Sequence, residues 1–211
     1  IDKSGVCIIS LDNKYTRNII NKLNNNKNYN TPIITFGIKN LSNNLSNNLA
    51  NNITPDLCAE IINQDSNHTS FKLNINFQNV FLKSYIKSLD NKIFITQLKG
   101  EHNIQNILAA IACAMREKLC PEKIFNSIKN IKGAKRRCEL IGYYKNSLIY
   151  DDYGHHPNEV KATVLALKKS FSNKKIILFF QPHRYSRTLD LYNDFIKALT
   201  LADILFILPI Y

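Results

Sequence analysis

The chain has 211 residues, enough for one sizeable α/β core or two smaller domains. Its net charge of +12 raises nucleic acid as a partner, but the basic residues are mostly isolated Lys among Asn and Ile, with no aromatic platform or dense basic stripe. The five cysteines (Cys7, Cys58, Cys113, Cys120 and Cys138) form no C-x-x-C pair, which favours reduced thiols in a cytosolic protein over disulfides or zinc, and no run reaches the ~18 apolar residues of a membrane span.

Residues 5–11 are apolar and β-prone and read as a buried strand. Residues 15–23 have helical spacing with Ile19, Ile20 and Leu23 on one side, and residues 31–37 read as a second buried strand, a β-α-β rhythm that suggests a parallel sheet edge. Residues 40–52 repeat Leu-Ser-Asn-Asn units with too little apolar surface to order themselves, and read as a loop insertion. Residues 58–62, 70–77 and 92–98 alternate in polarity and suggest an antiparallel meander, most clearly at Phe71, Leu73, Ile75 and Phe77.

Gly100 ends the last of these strands, and residues 103–119 predict an apolar helix with Ile107, Ala110, Ile111 and Ala114 on one face. Pro121 opens a second helix to about residue 130. Past a boundary at residues 133–137 the rhythm is β-α-β-α-β: strand 148–152, helix 158–171, strand 175–180, helix 189–201, strand 203–208, which predicts a parallel sheet with covering helices. The chain starts at Ile1 rather than Met and ends at Tyr211, just after an apolar run, so it reads as an internal fragment of a longer protein.

Four stretches carry chemistry. In Gly100-Glu101-His102-Asn103-Ile104-Gln105-Asn106, Asn103 and Asn106 stand three apart at a helix start, so their carboxamides are expected on one face, able to match the donor–acceptor edge of adenine; a helix cap plus a solvated Asn is the plainer alternative. In Lys135-Arg136-Arg137 an Arg suits a phosphate, against a solvated basic loop. The stretch Asp151-Asp152-Tyr153-Gly154-His155-His156-Pro157 joins a strand end to a helix start. There Asp152 suits ribose hydroxyls and the imidazoles suit an anion, a carbonyl or a mobile proton; an Asp cap with two solvated His is the alternative, and metal binding is weaker because no third ligand has the spacing. In Gln181-Pro182-His183-Arg184-Tyr185-Ser186-Arg187-Thr188 two Arg three apart can converge on one anion, beside the Asp152 loop if both strands share a parallel sheet.

In this order the four stretches resemble the Mur ligase family of ATP-dependent amide ligases, weakly before Gly100 and strongly after it. Asp-Asp-Tyr-Gly-His-His-Pro and Gln-Pro-His-Arg-Tyr-Ser-Arg-Thr are similar to signatures of the alanine-adding member. The resemblance implies an α/β fold. Residues 1–132 would be the later part of a central ATPase domain with a mixed sheet, and residues 133–211 the start of a truncated Rossmann-like C-terminal domain with parallel strands. It implies ATP contacts at Asn103, Asn106, Arg137 and Asp152, and substrate contacts at Tyr153, His155, His183, Arg184 and Arg187, with Asp151 and His156 in structural roles. It also implies ATP as co-substrate and Mg²⁺ held mostly by residues outside this sequence. UDP-N-acetylmuramate and L-alanine would be substrates joined through an acyl phosphate, in the cytoplasm, without nucleic acid or membrane. The family's glycine-rich phosphate loop has no counterpart here, so residues 1–211 alone are expected to be inactive. Cys138 stands where the family usually has an aromatic residue. A basic nucleic-acid-binding module and a non-catalytic homologue are the competing readings.

Overall fold

The structure, a computed structural model, describes residues 5–24, 31–39, 54–76, 78 and 82–211. The Asn-rich stretch 40–52 and Phe77 lie outside the described residues. The chain divides into two compact units, Ile1–Asn63, Thr69–Gln97 and His102–Ile131 in the first, and Gln64–His68, Leu98–Glu101 and Lys132–Tyr211 in the second.

The first unit is built on a five-stranded sheet in the order β1-β2-β3-β4-β5, from β1 (Cys7–Ser10), β2 (Ile33–Ile38), β3 (Leu57–Gln64), β4 (Thr69–Ile75) and β5 (Ile93–Thr96). β1, β2 and β3 pair in parallel, whereas β4 and β5 are antiparallel, so the sheet is mixed. The three segments expected as a meander stand side by side as β3-β4-β5, with β4 and β5 antiparallel, and β3 also pairs in parallel with β2. Carboxylates fasten the strand ends. Asp56 accepts from the Thr35 N–H and hydroxyl, both at 2.8 Å, and Asp12 accepts from the Ile38 N–H at 3.1 Å.

The helices of this unit are α1 (Lys14–Asn24), α2 (Lys83–Leu89), α3 (Glu101–Arg116) and α4 (Pro121–Lys129). Alternation in β4 buries Phe71, Leu73 and Ile75 as its pattern predicts. Phe94 stacks on Phe71 with ring centroids 5.3 Å apart and meets Phe125 edge-on at 5.0 Å, joining sheet to α4. Two expectations about helix faces change. In α1 Ile20 is buried but Ile19 is exposed, and in α3 the core stripe is Ile104, Ile107, Leu108, Ile111, Ala112 and Met115, which leaves Ala110 exposed. A 3.6-residue period allows a stripe this wide, and only the neighbouring sheet decides where it is centred.

The second unit holds an antiparallel hairpin, β6 (Glu139–Tyr144) with β7 (Ser147–Asp151), and a parallel pair, β8 (Ile177–Phe180) with β9 (Ile204–Ile207). Helices α5 (Pro157–Ser170), α6 (Tyr185–Asp190) and α7 (Tyr192–Leu199) complete it. Its apolar centre is Val160 and Val164 of α5, Phe180 of β8, and Phe195, Ala198 and Leu199 of α7. The α/β class and the parallel β8–β9 pair match expectation; β7 does not join them, because its hydrogen bonds go to β6 in the opposite direction. The expected helix over 189–201 is two helices, broken at Leu191. No described helix is long and apolar enough to cross a membrane.

Candidate active site in the second unit

The site is organised by the turn between β7 and α5, and the turn is held by carboxylates. Asp152 Oδ1 accepts from the Gly154 N–H at 2.6 Å, while Oδ2 accepts from the Cys138 N–H at 2.8 Å and the Thr163 hydroxyl at 3.0 Å. One side chain thus ties the basic loop, the turn and α5 together. Gly154 is required by proximity rather than by its dihedrals: a Cβ there would lie 2.7 Å from Asp152 Oδ1.

Residues 136–138 fold back on this turn through two left-handed residues, Arg136 at φ 57° and Cys138 at φ 50°. The Arg136 carbonyl accepts from the Tyr153 N–H at 2.7 Å, its Nε meets Asp151 at 3.1 Å, and its guanidinium lies 5.0 Å above the Tyr153 ring. Burial, with the Asp152 carboxylate behind it and Lys99 opposing, pushes the Cys138 thiol up to about 12, so it stays protonated and is no nucleophile near neutrality.

At the helix start His156 is the N-cap, its Nδ1 accepting from the Asn158 N–H at 3.3 Å. Glu159, the third helical residue, closes the capping box: Oε2 accepts from the N–H groups of His155 at 3.0 Å and His156 at 3.1 Å. Its Oε1 meets Arg137 at 3.2 Å. Burial raises the Glu159 pKa, but the His155 N–H, the Arg137 guanidinium, the His156 N–H and the nearby imidazole together outweigh it and hold the group below the usual carboxylate value. His155 Nδ1 lies 3.2 Å from the Tyr153 carbonyl, which only accepts, so Nδ1 carries the hydrogen in that contact.

Arg137, Asp152, Tyr153 and His155 are thus brought together. His183 and Arg184 belong to a second group built on the end of β8. His183 stacks on Tyr211 with centroids 5.6 Å apart, and the backbone there is bracketed by Arg184 N–H to Tyr211 O at 3.2 Å and Tyr211 N–H to Pro182 O at 2.9 Å. Arg184 is strained, at φ 71° and ψ 124°, and Arg187 sits half-buried in the short α6. Since β7 and β8 are not sheet neighbours, the shared crevice expected from strand adjacency loses that basis. In the first unit Asn103 is buried whereas Asn106 is exposed, so the two carboxamides are not equally presented. Sequence reasoning missed Glu159 as an organiser; its signal was a Glu at the third helical position behind a Pro start.

The Arg137–His155 group presents a guanidinium, an imidazole and a phenol on a partly exposed surface, which suits anion binding and proton transfer. Among the described residues no three His, Cys, Asp or Glu side chains gather to hold a metal ion.

Comparison with known proteins gives these features a context. The family model described as Mur ligase, glutamate ligase domain, matches residues 136–209. A UDP-N-acetylmuramate–L-alanine ligase of Rickettsia rickettsii is 37% identical over 210 residues, 98% of this chain and 39% of that protein. One of a Hydrogenobaculum species is 33% identical over 207 residues, with the same two shares of 98% and 39%. The same-named protein of Desulforapulum autotrophicum is 46% identical over 114 residues, 54% of this chain and 25% of that one. The chain therefore spans no more than about two fifths of these relatives. In fold it is similar to the crystal structure of a UDP-N-acetylmuramate–alanine ligase from Thermotoga maritima (TM-score 0.63, 23% identity, 84% of this chain and 34% of that one). It is likewise similar to MurF from Acinetobacter baumannii (TM-score 0.67, 19% identity, 99% and 39%). With the family's domain recognised across the second unit, relatives aligned along nearly the whole sequence and the fold shared, this chain belongs to the Mur ligase family.

Proposed function

We propose that this chain is part of an ATP-dependent ligase of peptidoglycan precursor synthesis that joins L-alanine to UDP-N-acetylmuramate. The observation that carries this is the 37% identity, over 98% of the chain, to a relative bearing that name. In this reading residues 1–132 belong to the central ATPase domain and residues 133–211 to the C-terminal domain, working in the cytoplasm where both nucleotides are available.

A bare carboxylate is a poor electrophile with a poor leaving group. ATP therefore transfers its terminal phosphoryl group to a carboxylate oxygen of UDP-N-acetylmuramate, releasing ADP. The alanine amine then attacks the acyl carbon, a proton leaves the nitrogen, and phosphate departs as the amide forms. Within this chain Asn103 and Asn106 are assigned to the adenine and Arg137 to nucleotide phosphate, with its fixed charge set against negative charge developing in transfer. Asp152 is assigned to the ribose, through the acceptor capacity its three hydrogen bonds leave open. Tyr153, His155, His183, Arg184 and Arg187 are assigned to the sugar nucleotide and the incoming amino acid.

The test is ATP hydrolysis that depends on both UDP-N-acetylmuramate and L-alanine, measured as phosphate release in the complete ligase. Arg137→Ala is expected to lower kcat/KM by ~10²–10³-fold, the scale for removing one preformed electrostatic donor. Residues 1–211 alone, which carry no glycine-rich phosphate loop, are expected to give no turnover. Absence of L-alanine dependence in the complete ligase, or tight salt-sensitive binding of generic DNA, would sink the reading.

A further inference from the structure

Glu159 bonds to two parts of the site at once. Its Oε1 meets the Arg137 guanidinium at 3.2 Å, and its Oε2 receives the His155 and His156 N–H groups at 3.0 and 3.1 Å. We propose that Glu159 is the positioning residue of this site, a single carboxylate that aims the Arg137 guanidinium and fixes the turn carrying Tyr153 and His155. The proposal rests on the ligase reading, in which Arg137 meets nucleotide phosphate.

The donor set explains why a carboxylate is needed. Three N–H donors converge on the side chain, and a group that only accepts satisfies all of them. A Gln can still offer one oxygen to the backbone N–H groups, but it then turns its own NH₂ toward the Arg137 donors. The ion pair is weak as a source of stability, because its side chains are 46% and 34% exposed. Its effect lies in geometry, where a misplacement of about 1 Å costs on the order of 100-fold in rate. Neighbouring donors also keep Glu159 ionised at neutral pH, in the form the bracket requires.

In the complete ligase, Glu159→Gln is expected to raise KM for ATP about tenfold or more while leaving thermal stability unchanged, and to add nothing in an Arg137→Ala background. Wild-type kinetics in Glu159→Gln, or an equal loss with and without Arg137, overturns the proposal. A wild-type ligase with no L-alanine-dependent turnover refutes the ligase reading instead. A second measurement, on residues 1–211, does not depend on activity. Amide hydrogen exchange at His155 and His156 is expected to quicken in Glu159→Ala and to stay slow in Glu159→Gln; unchanged exchange in Glu159→Ala overturns the bracket.

Discussion

The two units differ in how far apolar packing closes them. In the first, a five-stranded sheet is sealed by apolar side chains, with Phe71, Phe94, Leu57, Leu73, Leu89, Ile104 and Leu108 each fully inaccessible. In the second, within a sequence that spans about two fifths of its relatives, Phe179 is 65% exposed and Phe206 49%, and Tyr143 of the hairpin is 72%. Carboxylates fasten backbone N–H groups in both units, Asp12 and Asp56 in the first and Asp152, Glu159 and Asp203 in the second. A packed core fixes shape through volume, whereas carboxylate brackets fix it through a few directional bonds.

The largest expected effect tests the core side of that contrast. Phe94→Ala should cost about 3–5 kcal/mol, since it removes a buried ring from contact with both Phe71 and Phe125. Phe179→Ala, which loses only its stack on Phe206 at 4.8 Å on an open face, should cost under about 1 kcal/mol. Urea unfolding of each variant measures both, and equal losses would erase the distinction between the units.

An intermediate effect is expected at the bracket itself. In Gly154→Ala the new methyl displaces Asp152 Oδ1, which cannot swing away freely because its partner oxygen holds Cys138 and Thr163. The loss should be about 1–3 kcal/mol, read by thermal unfolding, with faster amide exchange at Cys138. Retention of wild-type stability would mean that the turn does not depend on Asp152.

The smallest effect concerns pH. Asp203 accepts from the Ile176 N–H at 2.7 Å and from Lys168 at 3.0 Å, and these, the backbone bond first, lower its pKa. A carboxyl lowered in the folded state stabilises above its ordinary pKa, and that contribution is lost as pH falls through the lowered value. Asp203→Asn should therefore flatten the pH dependence of unfolding below about pH 4, and an unchanged acid limb would remove Asp203 from the set of brackets.

Much of this was legible in the sequence because apolar runs ended by polar turns are local signals. The strands around Phe71 and Phe180, the start of α4 at Pro121 and the position of the Asp152 turn all followed from such runs. What escaped depended on partners distant in sequence. The segment of β6 ran on from the basic cluster with Gly142 inside it, and only β7 opposite makes it a strand. The seven residues of α2 were too few to show a period, and the break at Leu191 has no Pro or Gly to announce it. At the site, Glu159 looked like an ordinary acid in a first helical turn, because Arg137 stands 22 positions away.

Arg184 carries one further consequence. Its backbone, at φ 71° and ψ 124°, is a conformation suited to glycine, which any side chain occupies at a cost of about 1–3 kcal/mol. Local stability and chemistry are therefore opposed at one position: glycine would relax the loop and remove its guanidinium. Selection for a stabler fold and selection for a charged loop would choose different residues there, so variants screened only for thermal tolerance would be drawn to glycine and would lose the positive charge.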